Sequence, residues 1–307
     1  MEGIITKSSG SNYYVRINSG DTFECKIKGK LHLQNYKSTS PVAIGDKVQF
    51  YLASDNRYGL ITEINERKNY IIRKSVKLSK QSHIIAANID QAFLIVTLIN
   101  PETTLEFIDR YLVSLEAYMI PVILIFNKID LYENEILINC NKLINLYETI
   151  GYKCLKTSVV NNINIEKFKN LLINQVSVIS GNSGVGKSSL INSVEPNLKL
   201  KIGEISEYSN SGMHVTSNSE MFYLSLGGYI IDTPGIKGFG LFNFKKNEIY
   251  HCFPEIFYHS KGCKYYNCVH IDEPDCAVKT ALKLGDIASS RYQNYLNIYM
   301  DSNSKYR

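Results

Sequence analysis

The sequence lacks long hydrophobic runs, a strong excess of either charge, and an even number of cysteines. Its longest apolar stretches, Ala92–Ile99 and Met119–Phe126, are eight residues each, far short of the ~20 that cross a bilayer as a helix. No membrane partner is therefore expected. Thirty-four Lys and Arg against 29 Asp and Glu leave a net charge of +5. That balance excludes a strongly basic nucleic-acid coat and an acidic disordered tail. Seven cysteines in 307 residues argue against a disulfide scaffold. No basic-then-apolar signal segment opens the chain. A cytoplasmic, monomeric protein of two or three domains is expected.

What the chain does have is unevenly distributed. Cys25, Cys140 and Cys154 are scattered and read as ordinary core or surface thiols. Cys252, Cys263, Cys268 and Cys276 fall within 25 residues near the C-terminus, a clustering that in a reducing compartment points to metal. Cys263-x4-Cys268-x-His270-x5-Cys276 supplies three thiolates and one imidazole, a full tetrahedral set for a structural Zn²⁺. His251, Cys252 and His259 lie nearby without an assigned role.

The first seventy residues carry short runs rich in Tyr, Val, Ile and Phe: Gly3–Lys7, Tyr13–Ile17, Thr22–Ile27, Lys47–Leu52 and Tyr58–Glu63. Five such runs between turn residues fit a small antiparallel barrel of the OB type, a fold that often binds oligonucleotides. Arg67, Lys68, Arg73, Lys74, Lys77 and Lys80 follow as candidate phosphate contacts. From Asn88 the pattern becomes alternating. Apolar strands at Ala92–Thr97, Pro121–Phe126, Tyr152–Thr157, Val176–Ile179 and Tyr229–Asp232 are interleaved with helical spacing at Pro101–Met119, Asn134–Ile150 and from Lys187. Fully apolar strands alternating with helices predict a parallel sheet covered on both faces. Ala277–Ile298 reads as helical, broken at Gly285-Asp286. The expected architecture is multidomain: an OB-type barrel (1–72), an α/β P-loop domain (73–245) and a small zinc-binding module with helices (246–307).

Gly181-Asn182-Ser183-Gly184-Val185-Gly186-Lys187-Ser188 matches G-x-x-x-x-G-K-[ST] between a strand and a helix, with Ser189 continuing into that helix. Its backbone N–H groups and helix N-terminus suit phosphates, Lys187 can reach the β- and γ-phosphates, and Ser188 can ligate Mg²⁺. Forty-five residues after Lys187, an apolar strand ends in Asp232-Thr233-Pro234-Gly235. Asp232 can hold the same Mg²⁺, and the Gly235 N–H can meet the γ-phosphate. Asn127-Lys128-Ile129-Asp130 closes another strand. The Asp130 carboxylate can accept from the N1–H and N2–H₂ of guanine. Adenine has no N1 hydrogen, so it would leave a carboxylate unpaired. Ser158 and Val159, after the next strand, can bring a backbone N–H to the guanine O6. These elements select GTP, yet the guanine-reading ones precede the phosphate loop. Such an order follows if the ends of a GTPase domain were joined and the chain reopened elsewhere.

A barrel, Asn-Lys-Ile-Asp before Gly-Asn-Ser-Gly-Val-Gly-Lys-Ser-Ser, then Asp-Thr-Pro-Gly and Cys-x4-Cys-x-His-x5-Cys, resembles the ribosome small-subunit-dependent GTPase A (RsgA/YjeQ) family over essentially the whole chain. The resemblance implies a circularly permuted GTPase that binds the small ribosomal subunit late in its assembly, hydrolyses GTP to GDP and phosphate when stimulated by it, and touches ribosomal RNA through barrel and zinc module. It also implies that His214, in Gly212-Met213-His214-Val215-Thr216-Ser217, positions the attacking water. Ile236 stands where many small GTPases carry a glutamine. Thr216, or alternatively Ser217, is the expected switch hydroxyl for Mg²⁺. Met213 and Val215 depart from the family's usual Gly-Arg-His-Thr-Thr-Thr. The competing reading is a nucleotide-gated rRNA-binding module in which hydrolysis is incidental.

Overall fold

The computed structural model describes residues 1–28, 42–53, 58–74, 82–200, 220–232 and 245–301. His214, Thr216, Ser217 and Gly235 lie outside the described residues, as do Lys77 and Lys80.

Strands β1 (Glu2–Ser9), β2 (Asn12–Arg16), β3 (Thr22–Ile27), β4 (Lys47–Leu52) and β5 (Gly59–Ile64) form the barrel. Alternation along each strand sends Ile5, Tyr13, Val15, Cys25, Val48, Phe50 and Ile61 into one core. The barrel closes through β1, which pairs with β2 and with β4. It is not purely antiparallel, because β3 and β5 run parallel. The described part of the basic stretch after it is also structured rather than a charged linker. β6 (Tyr70–Lys74) and β7 (Ser82–Ala87) form a hairpin, and the expected boundary at residue 72 lies inside β6. Arg67 is not a phosphate contact. Its Nε and Nη2 each donate to the Asp46 carboxylate at 2.7 Å, with both side chains almost fully buried.

The next part alternates as the apolar runs demand: β8 (Gln91–Val96), α1 (Leu105–Glu116), β9 (Val122–Phe126), α2 (Asn134–Ile150), β10 (Lys153–Lys156), α3 (Ile165–Leu172), β11 (Val176–Ser180), α4 (Lys187–Val194), β12 (Glu220–Tyr223) and β13 (Tyr229–Asp232). β8 and β9 are buried on both faces, so successive residues enter different cores. Leu94, Val96, Leu124 and Phe126 pack with α1 and α2, whereas Phe93, Ile95, Ile123 and Ile125 pack with α3 and α4. Helix α1 starts later than expected. Thr104 caps it by accepting the Phe107 N–H, which leaves Leu98–Thr103 as a loop. α3 has no counterpart in the sequence reading.

The strand order is β10-β9-β8-β11-β13-β12-β1-β2-β3-β5-β4. β8 to β11, β13 and β10 are mutually parallel, and β12 is antiparallel to β13. β12 also pairs with β1 at Lys7↔Glu220, so the barrel continues the central sheet, which the sequence did not suggest.

A 3₁₀ turn (Lys246–Cys252) leads into α5 (Pro254–Ser260), α6 (Ala277–Leu284) and α7 (Ser289–Asp301). Gly285, at φ +87°, ends α6 as the sequence break predicts. Cys252, Phe253, Tyr295 and the cluster cysteines share one small core that also takes in Val113 of α1. No helix among the described residues is long and apolar enough to cross a membrane.

Candidate nucleotide and metal sites

Parallel pairing of β8, β9, β10, β11 and β13 brings their C-terminal ends to one edge, where an open α/β sheet binds its ligand. The phosphate loop leaves β11 there, the guanine motif leaves β9, and Ser158 and Val159 follow β10. Asp232 ends β13 opposite Ile179 of β11, so its backbone lies beside the start of the phosphate loop.

Within that loop, Gly181 and Gly186 have φ of +147° and +95°, and close neighbours as well as φ require glycine. A Cβ on Gly181 would lie 2.5 Å from the Ile95 carbonyl oxygen, and one on Gly186 would lie 2.4 Å from Asn127 Nδ2. Lys187 and Ser188 open α4 and are largely buried. Lys187 Nζ donates to the carbonyls of Gly181 at 2.8 Å and Asn182 at 2.7 Å. The lysine is thereby curled over the loop, with its charge inside the cradle a phosphate would occupy.

The guanine loop is braced from several directions. Asn127, almost fully buried, donates from Nδ2 to the Val185 carbonyl at 2.8 Å. One side chain thus ties the base-reading loop to the phosphate loop. Thr157 Oγ1 donates to Asn127 Oδ1 at 2.9 Å, which fixes the orientation of that amide. Lys128, at φ +60°, sends Nζ to the Asn100 carbonyl at 2.6 Å. Ser158 Oγ donates to the Asp130 carboxylate and accepts the Asn161 N–H. Asn127, Lys128, Asp130 and Ser158 therefore meet at one place, with Val159 next along the chain. Thr157 is the residue whose role sequence reasoning missed; its position directly after β10 was the available signal.

Together these contacts join a base-reading loop encoded at residues 127–130 to a phosphate loop encoded at 181–188. The chain belongs to the RsgA GTPase family. The model of the RsgA GTPase domain matches residues 64–242, and that of the RsgA N-terminal domain matches residues 2–61. The "Small ribosomal subunit biogenesis GTPase RsgA" of Phocaeicola vulgatus is 52% identical over 308 residues, covering 100% of this chain and 99% of the relative. The same-named protein of Christiangramia forsetii is 51% identical, covering 100% and 98%. Among solved structures, YjeQ from Thermotoga maritima superposes with a TM-score of 0.80 at 30% identity, covering 99% of each chain. YloQ, described as a circularly permuted GTPase, gives 0.77 at 28% identity, covering 100% of this chain and 96% of its own. The family assignment makes this chain a GTPase with its motifs in permuted order.

In the C-terminal module, Cys263, Cys268, His270 and Cys276 place their ligand atoms within 4.8 Å of one another. The separations test whether one ion fits. His270 Nδ1 lies 3.6, 3.3 and 3.5 Å from the three sulfurs, and Cys263 Sγ lies 3.8 Å from Cys276 Sγ. A tetrahedral ion with metal–sulfur bonds of about 2.3 Å and a metal–nitrogen bond of about 2.0 Å needs edges of roughly 3.8 and 3.5 Å. The cluster fits a metal ion. Burial pushes the His270 imidazole down to about 4, the neutral form a metal needs, and pushes the Cys268 thiol up to about 12. A dication supplies the charge that would let such buried thiols ionise. Cys252 is buried in the hydrophobic core and is not part of the cluster.

The backbone of this cluster is held from outside. Glu273 accepts the N–H groups of Val269 and Ile271 at 2.8 and 2.9 Å. From α7, the Tyr295 and Tyr292 hydroxyls donate to the carbonyls of Val269 and His270 at 2.5 and 2.6 Å.

Proposed function

We propose that this protein binds the small ribosomal subunit late in its maturation and hydrolyses GTP there, with turnover stimulated by the subunit. The observation that carries the reading is the Asn127–Val185 bond, which couples base recognition to the phosphate loop in a family member whose relatives are named for small-subunit biogenesis.

In the proposed reaction, water attacks the γ-phosphorus in line. The bond to the β–γ bridging oxygen breaks, and its electron pair leaves with GDP. Backbone amides of Gly181–Ser189 and the Lys187 ammonium take up the charge. His214 orients the water, and the Gly235 N–H meets the γ-phosphate. Asp130 reads N1 and N2 of guanine, while Ser158 and Val159 face O6. Ser188 and Asp232, with Thr216 or Ser217, would hold Mg²⁺, which when bound neutralises the β- and γ-oxygens. Zn²⁺ is the ion proposed for the Cys263, Cys268, His270 and Cys276 cluster.

The proposed RNA contacts rest on exposed aromatic and cationic groups. On the barrel, Lys26 and Lys28 lie over the Tyr58 and Tyr51 rings at 5.1 and 5.0 Å. On the metal module, Tyr266 is 99% exposed between two ligand cysteines. Rings presented with lysines suit unpaired bases and phosphates. A monomer working in the cytoplasm fits this reading.

The test is GTP turnover by the full chain with and without purified small subunits. Groups supplied by activating partners are worth roughly 10³–10⁵ in rate, so strong stimulation is expected. Equal rates would overturn the proposal.

A further inference from the structure

We propose that Tyr132 is a positioning residue for guanine recognition, its buried hydroxyl locking the base-reading loop to the loop that follows β8. The proposal rests on the reading of Asp130 as the guanine acceptor and goes beyond it, because Tyr132 lies outside the motif and touches no nucleotide.

Tyr132 as a residue is 8% exposed, and its hydroxyl does two things at once. It donates to the Asn127 carbonyl and accepts the Leu98 N–H, each at 2.9 Å. The first bond completes the bracing of Asn127. That residue's backbone N–H donates to Val96, its amide nitrogen donates to Val185, and its amide oxygen accepts from Thr157. The second bond reaches into the segment Leu98–Thr103, which is closed by the Thr103 N–H donating to the Thr97 carbonyl at 2.8 Å. The same segment touches the nucleotide machinery at two further points. Its Asn100 carbonyl accepts Lys128 Nζ. A Cβ built on Gly184 of the phosphate loop would lie 3.4 Å from Pro101 Cδ.

Asp130 sits in the short turn Ile129–Leu131 between these anchors. Asn127 fixes the chain before the turn. Tyr132, whose N–H donates to the Ile129 carbonyl at 3.1 Å, fixes it after the turn. Burial pushes the phenol up to about 12, so it remains a proton donor under ordinary conditions. Removing the hydroxyl alone would leave a carbonyl and an N–H without a partner in a poorly solvated place, a cost borne by the turn that aims Asp130.

Tyr132→Phe keeps the ring and its packing, so it isolates the hydroxyl. In the full chain, the expected result is a rise of about tenfold in the Kd for GDP, with a smaller rise for IDP, which keeps the N1–H but lacks the exocyclic amine. The preference for GDP over IDP shrinks, and the loss in turnover falls on KM rather than kcat. Some loss of stability in the nucleotide-free protein is expected either way, but a merely structural hydroxyl would weaken GDP and IDP equally. That result, or unchanged GDP affinity, overturns the proposal. Asp130→Asn serves as the control. If it leaves GDP affinity intact, the base-reading role fails; if it weakens GDP while Tyr132→Phe does not, only the Tyr132 role fails. Amide hydrogen exchange on the unaltered protein gives an independent measurement. GDP should slow exchange at Leu98 together with Asn127–Leu131, and an unresponsive Leu98 amide counts against the lock.

Discussion

The nucleotide domain meets its two neighbours through joints built from different chemistry. On the C-terminal side, Arg291 of α7 is fully buried. It donates from Nε and Nη2 to the Glu255 carboxylate at 2.6 and 3.1 Å and from Nη1 to Asp109 of α1 at 2.8 Å. Asn294 and Tyr147 complete the Asp109 carboxylate at 2.6 and 2.9 Å. Burial alone would pull the guanidinium pKa down, but the two carboxylates raise it overall, so the guanidinium stays charged. On the barrel side, one backbone register and the exposed Lys7–Glu220 ion pair make the ladder contact. The segment before β4 is held from below: the Ala87 N–H donates to the Ile44 carbonyl at 2.8 Å, Asn88 Nδ2 donates to the Gly45 carbonyl at 2.9 Å, and Ile44 enters the core around β8 and β9. Arg16 adds a cation–π contact, 4.3 Å from the Tyr223 ring centroid. A buried, fully paired network has one good geometry and fixes orientation; exposed contacts tolerate several. The difference implies that buried charge fixes the metal module to α1, whereas the barrel is fixed through backbone bonds and apolar packing before β4, with the β1–β12 ladder as its weaker edge.

Removing the metal proposed for the cysteine cluster is expected to be the largest perturbation. In small zinc domains the ion supplies about 10–16 kcal/mol of apparent binding energy that is also folding energy. Here the ligand cysteines share a core with Val113 of α1 and stand behind the α7 helix that carries Arg291. Chelation, or Cys268→Ser, is expected to open residues 254–301 to protease and to lower the unfolding midpoint of the nucleotide domain as well. If the nucleotide domain melts unchanged, the two joints are more alike than their chemistry suggests.

Breaking the buried network directly comes next. Arg291→Met leaves Asp109 and Glu255 buried without a cation, a defect that typically costs about 3–5 kcal/mol. Urea unfolding of the full chain measures it. Adding Asp109→Asn and Glu255→Gln should recover much of the loss, because no unpaired charge then remains. If the triple variant is no better than the single one, the cost lies in packing rather than in stranded charge.

Neither joint was visible in the sequence, and the reason is range. Asp109 and Arg291 are 182 residues apart, and Lys7 and Glu220 are 213 apart. No local pattern marks either pair. Gly181–Ser188, Asn127–Asp130 and the strands β8, β9 and β11 were legible because their chemistry is written in consecutive residues and in unbroken apolar runs. The four clustered side chains that could hold a metal were legible for the same reason. α3 was missed because eight residues give barely two turns of periodicity. The β6–β7 hairpin was hidden by its cations, and Arg67 read as a surface charge because its partner, Asp46, is 21 residues earlier. Tyr132 carried no signal at all, since a tyrosine after a turn is ordinary until its hydroxyl is seen between two loops.

The smallest effect is the most discriminating test of the barrel joint. Lys7 and Glu220 side chains are 42% and 40% exposed at 3.2 Å, so water and salt screen most of their attraction. Such a pair is worth between zero and about 1 kcal/mol. Lys7→Ala should therefore shift the unfolding midpoint only slightly, and the shift should fade as ionic strength rises. Lys7→Glu sets like charges side by side across the ladder and should cost a little more; adding Glu220→Lys restores the opposite signs and should return the midpoint. These residues share a row with Asp232, because Glu220 pairs with Lys7 on one side and with Asp232 on the other. A loss above about 2 kcal/mol for Lys7→Ala would exceed what an exposed pair supplies. The exposed pair would then act like the buried network, and the contrast between the two ion-pair sites would fail.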